Sequence, residues 1–325
     1  MSTTTTIETT TDNKTQFLQE TLTGLQSEPK FMRSKYFYDA TGDRIFQQIM
    51  EMEEYYLTNA EMEILRYQSA QLSQAITADG TAFDLIELGA GDATKSIHLL
   101  KSLLDNKMEF SYVPIDISEH VISDLEENLP KKLPELDIKG LNGDYFDMLK
   151  KATQLSDRRK VVLFMGANIG NMTIADAEDF CSSLKQLLSP NDLLIIGFDL
   201  KKNPQQILAA YNDKGGITRS FNLNLLQRIN KELDGNFNLE NFEHYASYDP
   251  ASGACKSYLI SLKNQIVNIG RQAIHFAENE YIFMEISQKY ALSDIDQLAE
   301  KTGFKPLQRF FDQHQYFVDA IWKVD

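Results

Sequence analysis

The chain has 325 residues, 42% of them hydrophobic and 24% charged, which is the composition of a folded protein with one large domain or two modest ones. Its 47 acidic against 32 basic side chains give a formal net charge of −15, which repels phosphate backbones and anionic lipid. Nucleic acid and membranes are therefore not expected as partners. Neither the two cysteines nor the five histidines have metal-ligand spacing, so the sequence predicts no metal site and favours a cytoplasmic protein.

The first half of the chain predicts a loose tail followed by an alternating α/β region. Residues 1–13 are polar and threonine-rich, with no apolar run typical of a signal peptide. A helix is predicted to begin at Thr58, with Glu61 completing a capping box. From about Glu63 to Leu200, helical patterns alternate with short apolar runs, which predicts βαβ units and a mostly parallel sheet. Strands are predicted at Phe83–Leu88, Phe110–Ile115, Val161–Met165 and Leu193–Phe198.

After Leu200 the pattern changes, which predicts a second domain. Asn222–Leu233 has helical periodicity, whereas Ser257–Gly270 and Gln272–Ile286 are two long β segments joined by a turn. A further helix is predicted to start with a capping box at Ser293 and Asp296. Two last strands, Pro306–Phe311 and Tyr316–Trp322, are predicted to return to the first sheet as a closing antiparallel pair.

The strongest local motif is the strand that ends in Gly89-Ala-Gly91. Glycines there allow a tight turn against which a ligand can lie, at the edge where open α/β sheets bind. A dinucleotide site would have a third glycine where Thr94 stands, so NAD and FAD are disfavoured. Asp116 ends the next strand and can accept ribose hydroxyls, while Asp144-Tyr145 can bind an adenine. These features favour S-adenosylmethionine, although Asp116 and Asp144 could equally be turn or cap residues.

Six motifs between residues 38 and 224 resemble those of the histidine-specific N-alpha-methyltransferases, which make trimethylhistidine in ergothioneine biosynthesis, and the resemblance spans roughly residues 36–322. They are Tyr38-Asp-Ala-Thr-Gly-Asp-Arg-Ile-Phe46, Glu54-Tyr-Tyr-Leu-Thr58, Glu87-Leu-Gly-Ala-Gly91, Tyr112-Val-Pro-Ile-Asp116, Gly166-Ala-Asn-Ile-Gly-Asn171 and Phe221-Asn-Leu-Asn224. The resemblance implies an α/β fold with a class I Rossmann-like methyltransferase domain at 63–201 and 292–325. It also implies a smaller discontinuous α+β substrate-binding domain at 14–62 and 202–291, closing over the cofactor's methyl group.

The resemblance also implies the site residues. S-adenosylmethionine would be bound by Gly89, Gly91, Lys95, Asp116, Asp144 and Tyr145, and the substrate by Tyr38, Tyr55, Gly166, Asn171, Tyr211, Thr218, Glu285 and Ser287. Lys95 would meet the methionine carboxylate. Asn171, with Tyr38 and Tyr55 as the other catalytic residues, would hold the amine with its lone pair free. Glu285 and Ser287 would serve the two imidazole nitrogens. Because the sulfonium is already activated, no nucleophilic side chain is needed. No general base is assigned, because an amine with a pKa of about 8–9 loses its proton to water readily at neutral pH.

Several departures from the family pattern bear on the substrate. The family usually reads Glu-Asn-Ser-Tyr-Lys-Tyr where this chain has Glu285-Ile-Ser-Gln-Lys-Tyr290, and Ser257 stands where Met is expected. A different aromatic amino acid, such as a tryptophan derivative, therefore remains open as the substrate. A catalytically silent binding protein and a NAD-linked oxidoreductase also remain open as functions, the oxidoreductase being opposed by the missing third glycine. A monomer with a small-molecule substrate is favoured.

Overall fold

The computed structural model describes residues 5–325, with side chains from Lys14 onward. The helices are α1 (Thr5–Leu25), α2 (Ala40–Glu51), α3 (Tyr56–Ile76), α4 (Ile97–Asp105), α5 (Glu119–Lys132), α6 (Tyr145–Thr153), α7 (Ile174–Leu187), α8 (Pro204–Tyr211), α9 (Ile217–Glu232) and α10 (Leu292–Lys301). The strands are β1 (Lys30–Phe31), β2 (Phe83–Leu88), β3 (Phe110–Asp116), β4 (Asp137–Ile138), β5 (Leu141–Asn142), β6 (Arg159–Phe164), β7 (Leu193–Asp199), β8 (Phe242–Asp249), β9 (Ala254–Ser261), β10 (Gln265–Ile269), β11 (Gln272–Phe276), β12 (Tyr281–Gln288), β13 (Phe304–Phe311) and β14 (Phe317–Val324). None of the helices in this described part is long and apolar enough to cross a membrane.

The chain forms two compact units. A large unit consists of Leu57–Lys201 and Gln288–Asp325, and a small unit consists of residues 5–56 with Lys202–Ser287. The division after Lys201 falls at the boundary expected from the sequence. The other two divisions, after Tyr56 and after Ser287, lie a few residues before the expected ones.

The large unit is built on one twisted sheet. Its strand order is β13-β14-β7-β6-β2-β3-β4, with β5 also paired to β3. Strands β4, β3, β2, β6 and β7 are parallel, whereas β14 is antiparallel to both β7 and β13. The parallel strands have the Rossmann order, so the predicted class I fold with its closing antiparallel pair is confirmed.

Burial explains why these segments are strands in the interior of a sheet. All residues of β2 and β7 are buried, which is the apolar pattern of strands covered on both faces. Because β2, β3 and β6 run in parallel, their carboxyl ends lie at the same edge of the sheet. Gly89, Asp116 and Gly166 follow or end these three strands, so the fold brings them to that edge.

The small unit combines a four-stranded sheet, in the order β1-β12-β9-β8, with the hairpin β10-β11. Helix α9 packs its aromatic and aliphatic face into the core of this unit, where the rings of Phe37 and Phe221 stack at 4.8 Å. The two long β segments predicted from the sequence are each divided into two strands. Residues 262–264 (Leu-Lys-Asn) interrupt the first, and Asn279, with a φ of 67°, lies in the turn that interrupts the second.

Two predicted capping boxes are wrong. Thr58 lies inside α3, and the fully buried Glu61 points its carboxylate at distant groups instead of at a cap. For α10 the cap residue is Ala291, whose N–H donates to Asp294 at 2.8 Å. Asp296 is instead paired with Arg309.

The remaining difference concerns the amino terminus. Helix α1 includes residues 5–13, which the sequence assigned to the loose tail, whereas residues 1–4 of that predicted tail lie outside the described residues.

Candidate functional site

The glycine turn after β2 has the backbone that its residues predicted. Gly89 has a φ of 71° and Gly91 a φ of 52°, in the left-handed region that favours glycine. A Cβ placed on Gly89 would lie 2.7 Å from the Tyr145 Oη and 3.6 Å from the Asn168 Nδ2. The absent side chain therefore leaves a surface of bare backbone facing a phenol and an amide. Asn168 was not among the residues predicted for the site.

Asp116 is anchored to this turn by its own carboxylate. Its Oδ2 accepts the Gly91 N–H at 3.2 Å, and its Oδ1 accepts the Ser118 N–H at 2.9 Å. Each oxygen retains a second lone pair for another donor. Asp116 is thus a turn residue that still presents acceptor sites at the edge of the sheet.

Asp144 and Tyr145 lie at the start of α6, beside the same turn. Asp144 caps the helix by accepting the Phe146 N–H at 2.9 Å, so it too has a local structural role. Burial raises the pKa of Tyr145 to about 12, and the charges of Asp116 and Asp144 add to the shift. The phenol is therefore protonated at neutral pH and available as a hydrogen-bond donor between two carboxylates.

Lys95 precedes α4 and is held by a carboxylate that the sequence did not place here. Its Nζ pairs with the Oε2 of Glu61, a residue that is fully buried in α3. The Oε1 of the same Glu61 accepts the Gly166 N–H at 2.6 Å. One buried side chain thus joins the cation after β2 to the backbone turn after β6.

Two more buried acids surround this pair. Asp319 in β14 is fully buried, and neither of its oxygens has a hydrogen-bond partner among the described residues. Burial raises the pKa of Asp319 well above its usual range, Glu61 adds to the shift, and Lys95 opposes it. Burial likewise raises the pKa of Glu87 in β2 to about 7, although the Tyr112 hydroxyl donates to its carboxylate at 2.6 Å. We call Glu61, Glu87, Lys95 and Asp319 the acid cluster.

The predicted substrate residue Asn171 lies in the segment that follows Gly166. Residues Asn168–Asn171 form one turn of 3-10 helix, entered through Ala167 with a φ of 55°. Asn171 is exposed. A Cβ on Gly166 would lie 3.7 Å from the Lys95 Nζ, so the start of this segment adjoins the acid cluster. The large unit therefore brings together Gly89, Gly91, Lys95, Asp116, Asp144, Tyr145 and Gly166 at one edge of its sheet.

The small unit contains the tyrosines predicted to bind substrate, and they share an aromatic cluster. Tyr38 contacts Phe46 edge-on at 5.5 Å, and Phe46 contacts Tyr55 at 6.5 Å. Tyr55 in turn contacts Tyr211 at 6.2 Å. The Tyr211 Oη lies 2.6 Å from the Ser287 Oγ. Tyr38, Tyr55, Tyr211 and Ser287 thus form one continuous chain of contacts.

Thr218 and Glu285 are connected through Asn222, which the sequence placed in a family motif but not in the site. The Asn222 Nδ2 donates to the Thr218 carbonyl at 3.0 Å and lies 3.5 Å from the Glu285 Oε1. Asn222 is fully buried, and its Oδ1 lacks a partner in the part of the chain with described side chains. A buried polar side chain on an otherwise apolar helix face was the signal that could have identified it.

Two further residues that the sequence singled out are buried polar side chains. Ser257 is buried in β9, and Gln288 is buried and donates to the Lys289 carbonyl at 3.0 Å. Burial lowers the pKa of His244 to about 4, so this histidine is neutral. In the described part of the chain, no cluster of His, Cys, Asp or Glu has the arrangement of a metal site.

Comparison with known proteins identifies the family of this chain. The profile of the histidine-specific, S-adenosylmethionine-dependent methyltransferases matches residues 17–324. Histidine N-alpha-methyltransferase of Mycolicibacterium smegmatis is 34% identical over 280 residues, 85% of each chain, and its counterpart in Mycobacterium tuberculosis is 33% identical over 274 residues, 84% of each. Ergothioneine biosynthesis protein 1 of Neurospora crassa is 29% identical over 304 residues, 91% of this chain and 33% of its own. The chain therefore belongs to the histidine-specific, S-adenosylmethionine-dependent methyltransferase family.

Proposed function

We propose that this protein transfers methyl groups from S-adenosylmethionine to the α-amine of histidine, with the trimethyl product as the end point. One observation carries the donor half of the proposal. The bare backbone at Gly89, the Asp116 carboxylate and the Tyr145 phenol meet at one turn, where a Cβ on Gly89 would intrude to 2.7 Å from the phenol oxygen. A nucleoside fits such a turn because the carboxylate accepts ribose hydroxyls while the ring lies over backbone.

Charge supports a donor with an amino-acid tail. Lys95 is the cation of the acid cluster beside the turn, and its ammonium suits the carboxylate of a methionine moiety. S-adenosylmethionine supplies an activated methyl group on a sulfonium, so the protein has to bind, orient and desolvate the reactants. We propose Gly89, Gly91, Lys95, Asp116, Asp144 and Tyr145 for this half.

The acceptor half of the proposal rests on the small unit. Hydroxyls of Tyr55 and Tyr211 donate to a carboxylate without adding charge, and Tyr38 belongs to the same aromatic cluster. Glu285, steadied by the Asn222 amide, accepts an imidazole N–H, and Ser287 donates to the other ring nitrogen. Thr218 completes this group through its contact with Asn222.

We propose that Asn171 and Gly166 contact the α-amine of the substrate. An amide side chain offers both a donor and an acceptor, so Asn171 orients the amine nitrogen without protonating it. An α-amine with a pKa of about 8–9 loses its proton to water readily at neutral pH, so a dedicated base is not required.

An acceptor screen tests the activity. The protein is incubated with S-adenosylmethionine and a mixture of amino acids that includes tryptophan derivatives, and the mass gain per methyl group is followed by mass spectrometry. Methylated histidine is expected. Methylation of another amino acid alone would refute the histidine assignment, and no methylation with intact donor binding would indicate a silent binding protein.

A pair of variants tests which residues serve which reactant. Glu285→Gln is expected to raise the KM for histidine about tenfold or more, since a hydrogen bond to a charged group contributes ~1.5–3 kcal/mol, with little change in donor affinity. Tyr145→Phe is expected to weaken S-adenosylhomocysteine with little effect on the histidine KM. The opposite pattern would refute the division of roles.

A further inference from the structure

Glu61 is the least expected feature of the large unit, because a fully buried carboxylate is costly unless it is paired and hydrogen-bonded. Both of its oxygens are used: one by the Lys95 ammonium and the other by the Gly166 N–H. These partners follow two different strands, β2 and β6, at the edge of the sheet. The pairing therefore fixes a cation and a backbone turn relative to each other.

The surrounding residues make room for this carboxylate. A Cβ on Gly197 in β7 would lie 2.5 Å from the Glu61 Oε1, so a larger residue in that strand would displace it. We propose that Glu61 is a positioning residue of the donor site, whose buried carboxylate fixes the Lys95 ammonium beside the glycine turn to receive the carboxylate of the methyl donor. This inference rests on the proposed function, because that function assigns Lys95 to the donor.

The charges around Lys95 determine how this role can be measured. Burial is the largest single effect and disfavours the charge of Lys95, but the attraction and hydrogen bond of Glu61 together with the charges of Asp319 and Glu87 outweigh it, so the pKa of Lys95 lies above its usual value. Asp319 from β14 and Glu87 from β2 each favour this charge less strongly than Glu61 does. Loss of the Glu61 charge removes the largest contribution that opposes burial, so Lys95 is expected to lose its proton at a lower pH.

The experiment compares Glu61→Gln with the wild-type protein from pH 7 to pH 9.5 by calorimetry. Two ligands are used: S-adenosylhomocysteine and its decarboxylated analogue, which keeps the adenosine and the amine. For S-adenosylhomocysteine, the ratio of the variant's Kd to the wild-type Kd is expected to rise about tenfold or more across this range. For the decarboxylated analogue the ratio is expected to stay constant. Glu63→Gln, on the same helix, is the matched control.

A second variant keeps the test decisive. In Glu61→Gln combined with Lys95→Arg, the guanidinium stays charged throughout this pH range, so the ratio should become independent of pH. If Glu61→Gln does not fold, Glu61→Asp is used instead, because its shorter side chain keeps the charge but holds it farther from Lys95. Its Kd ratio for S-adenosylhomocysteine should also rise with pH, by a smaller factor, while the ratio for the decarboxylated analogue stays constant.

Two results would overturn the inference. A ratio that does not change with pH would mean that Glu61 does not control the charge of Lys95. Equal weakening of both ligands would mean that Glu61 supports only the local fold. If wild-type protein does not bind S-adenosylhomocysteine at all, the proposed function fails first and this inference fails with it.

Discussion

Substitution of Glu87 by Gln should remove a pH-dependent loss of stability from the large unit. Burial raises the pKa of Glu87 to about 7 in the folded protein, whereas an unfolded chain titrates near ~4.3. The folded state therefore holds the proton over a range where the unfolded state has released it. Stability from this group is present below the unfolded pKa and is lost as the pH rises through about 7. The full loss amounts to about 4 kcal/mol, of which about 3 kcal/mol falls between pH 5 and pH 8.

The single tryptophan makes this prediction measurable, because Trp322 is buried in the large unit together with Glu87. Urea unfolding followed by Trp322 fluorescence is compared at pH 5 and pH 8. Glu87→Gln keeps an acceptor for the Tyr112 hydroxyl but cannot become charged. The difference in unfolding free energy between the variant and wild type should therefore be about 3 kcal/mol more favourable to the variant at pH 8 than at pH 5. Glu135→Gln, an exposed acid of the same unit, is the control. A gain that is equal at both pH values would refute the reasoning.

Two further predictions concern close packing. Gly89→Ala and Gly80→Ala impose similar backbone strain, because the two glycines have φ of 71° and 68°. Each substitution should lower the free energy of unfolding by about 1–3 kcal/mol. Only the Gly89 variant brings a Cβ against Tyr145, so only this variant should bind S-adenosylhomocysteine about tenfold or more weakly, as measured by calorimetry. An equal loss of affinity in both variants would count against this site. Both cysteines are buried, and burial raises the pKa of the Cys181 thiol to about 12. Neither cysteine should therefore react with a thiol reagent at pH 8 until the protein unfolds. Rapid labelling of the native protein would contradict their burial.

Local patterns predicted the large unit well because its strands are short apolar runs closed by glycine or aspartate. Asp116 and Gly89 could be placed at the sheet edge from the sequence, since each directly follows a continuous buried run. The same patterns misplaced both capping boxes. Glu61 matched a local motif, but its partner Lys95 lies 34 residues away, and sequence spacing carries no information about such a contact.

The cap of α10 illustrates a different limit. Aspartates stand at both 294 and 296, and each has suitable spacing from a possible cap residue. In the structure Asp294 forms the cap, whereas Asp296 pairs with Arg309 from β13. The residues proposed to bind substrate in the small unit were predictable only through the family resemblance, since nothing in the local pattern connects Glu285 with Asn222 across 63 residues.

The acid cluster yields one more prediction, because one cation faces three buried carboxyl groups. Lys95 directly contacts Glu61, and burial raises the pKa values of both Asp319 and Glu87. Lys95→Met would leave the buried carboxylate of Glu61 without its cation, a change that costs about 3–5 kcal/mol in buried pairs. The loss of stability, measured by Trp322 fluorescence, should be larger at pH 8 than at pH 5, because the raised pKa values of Asp319 and Glu87 mean that fewer neighbouring negative charges surround Glu61 at the lower pH. An equal loss at both pH values would mean that Lys95 contributes packing by its aliphatic stem, and not charge, to this part of the fold.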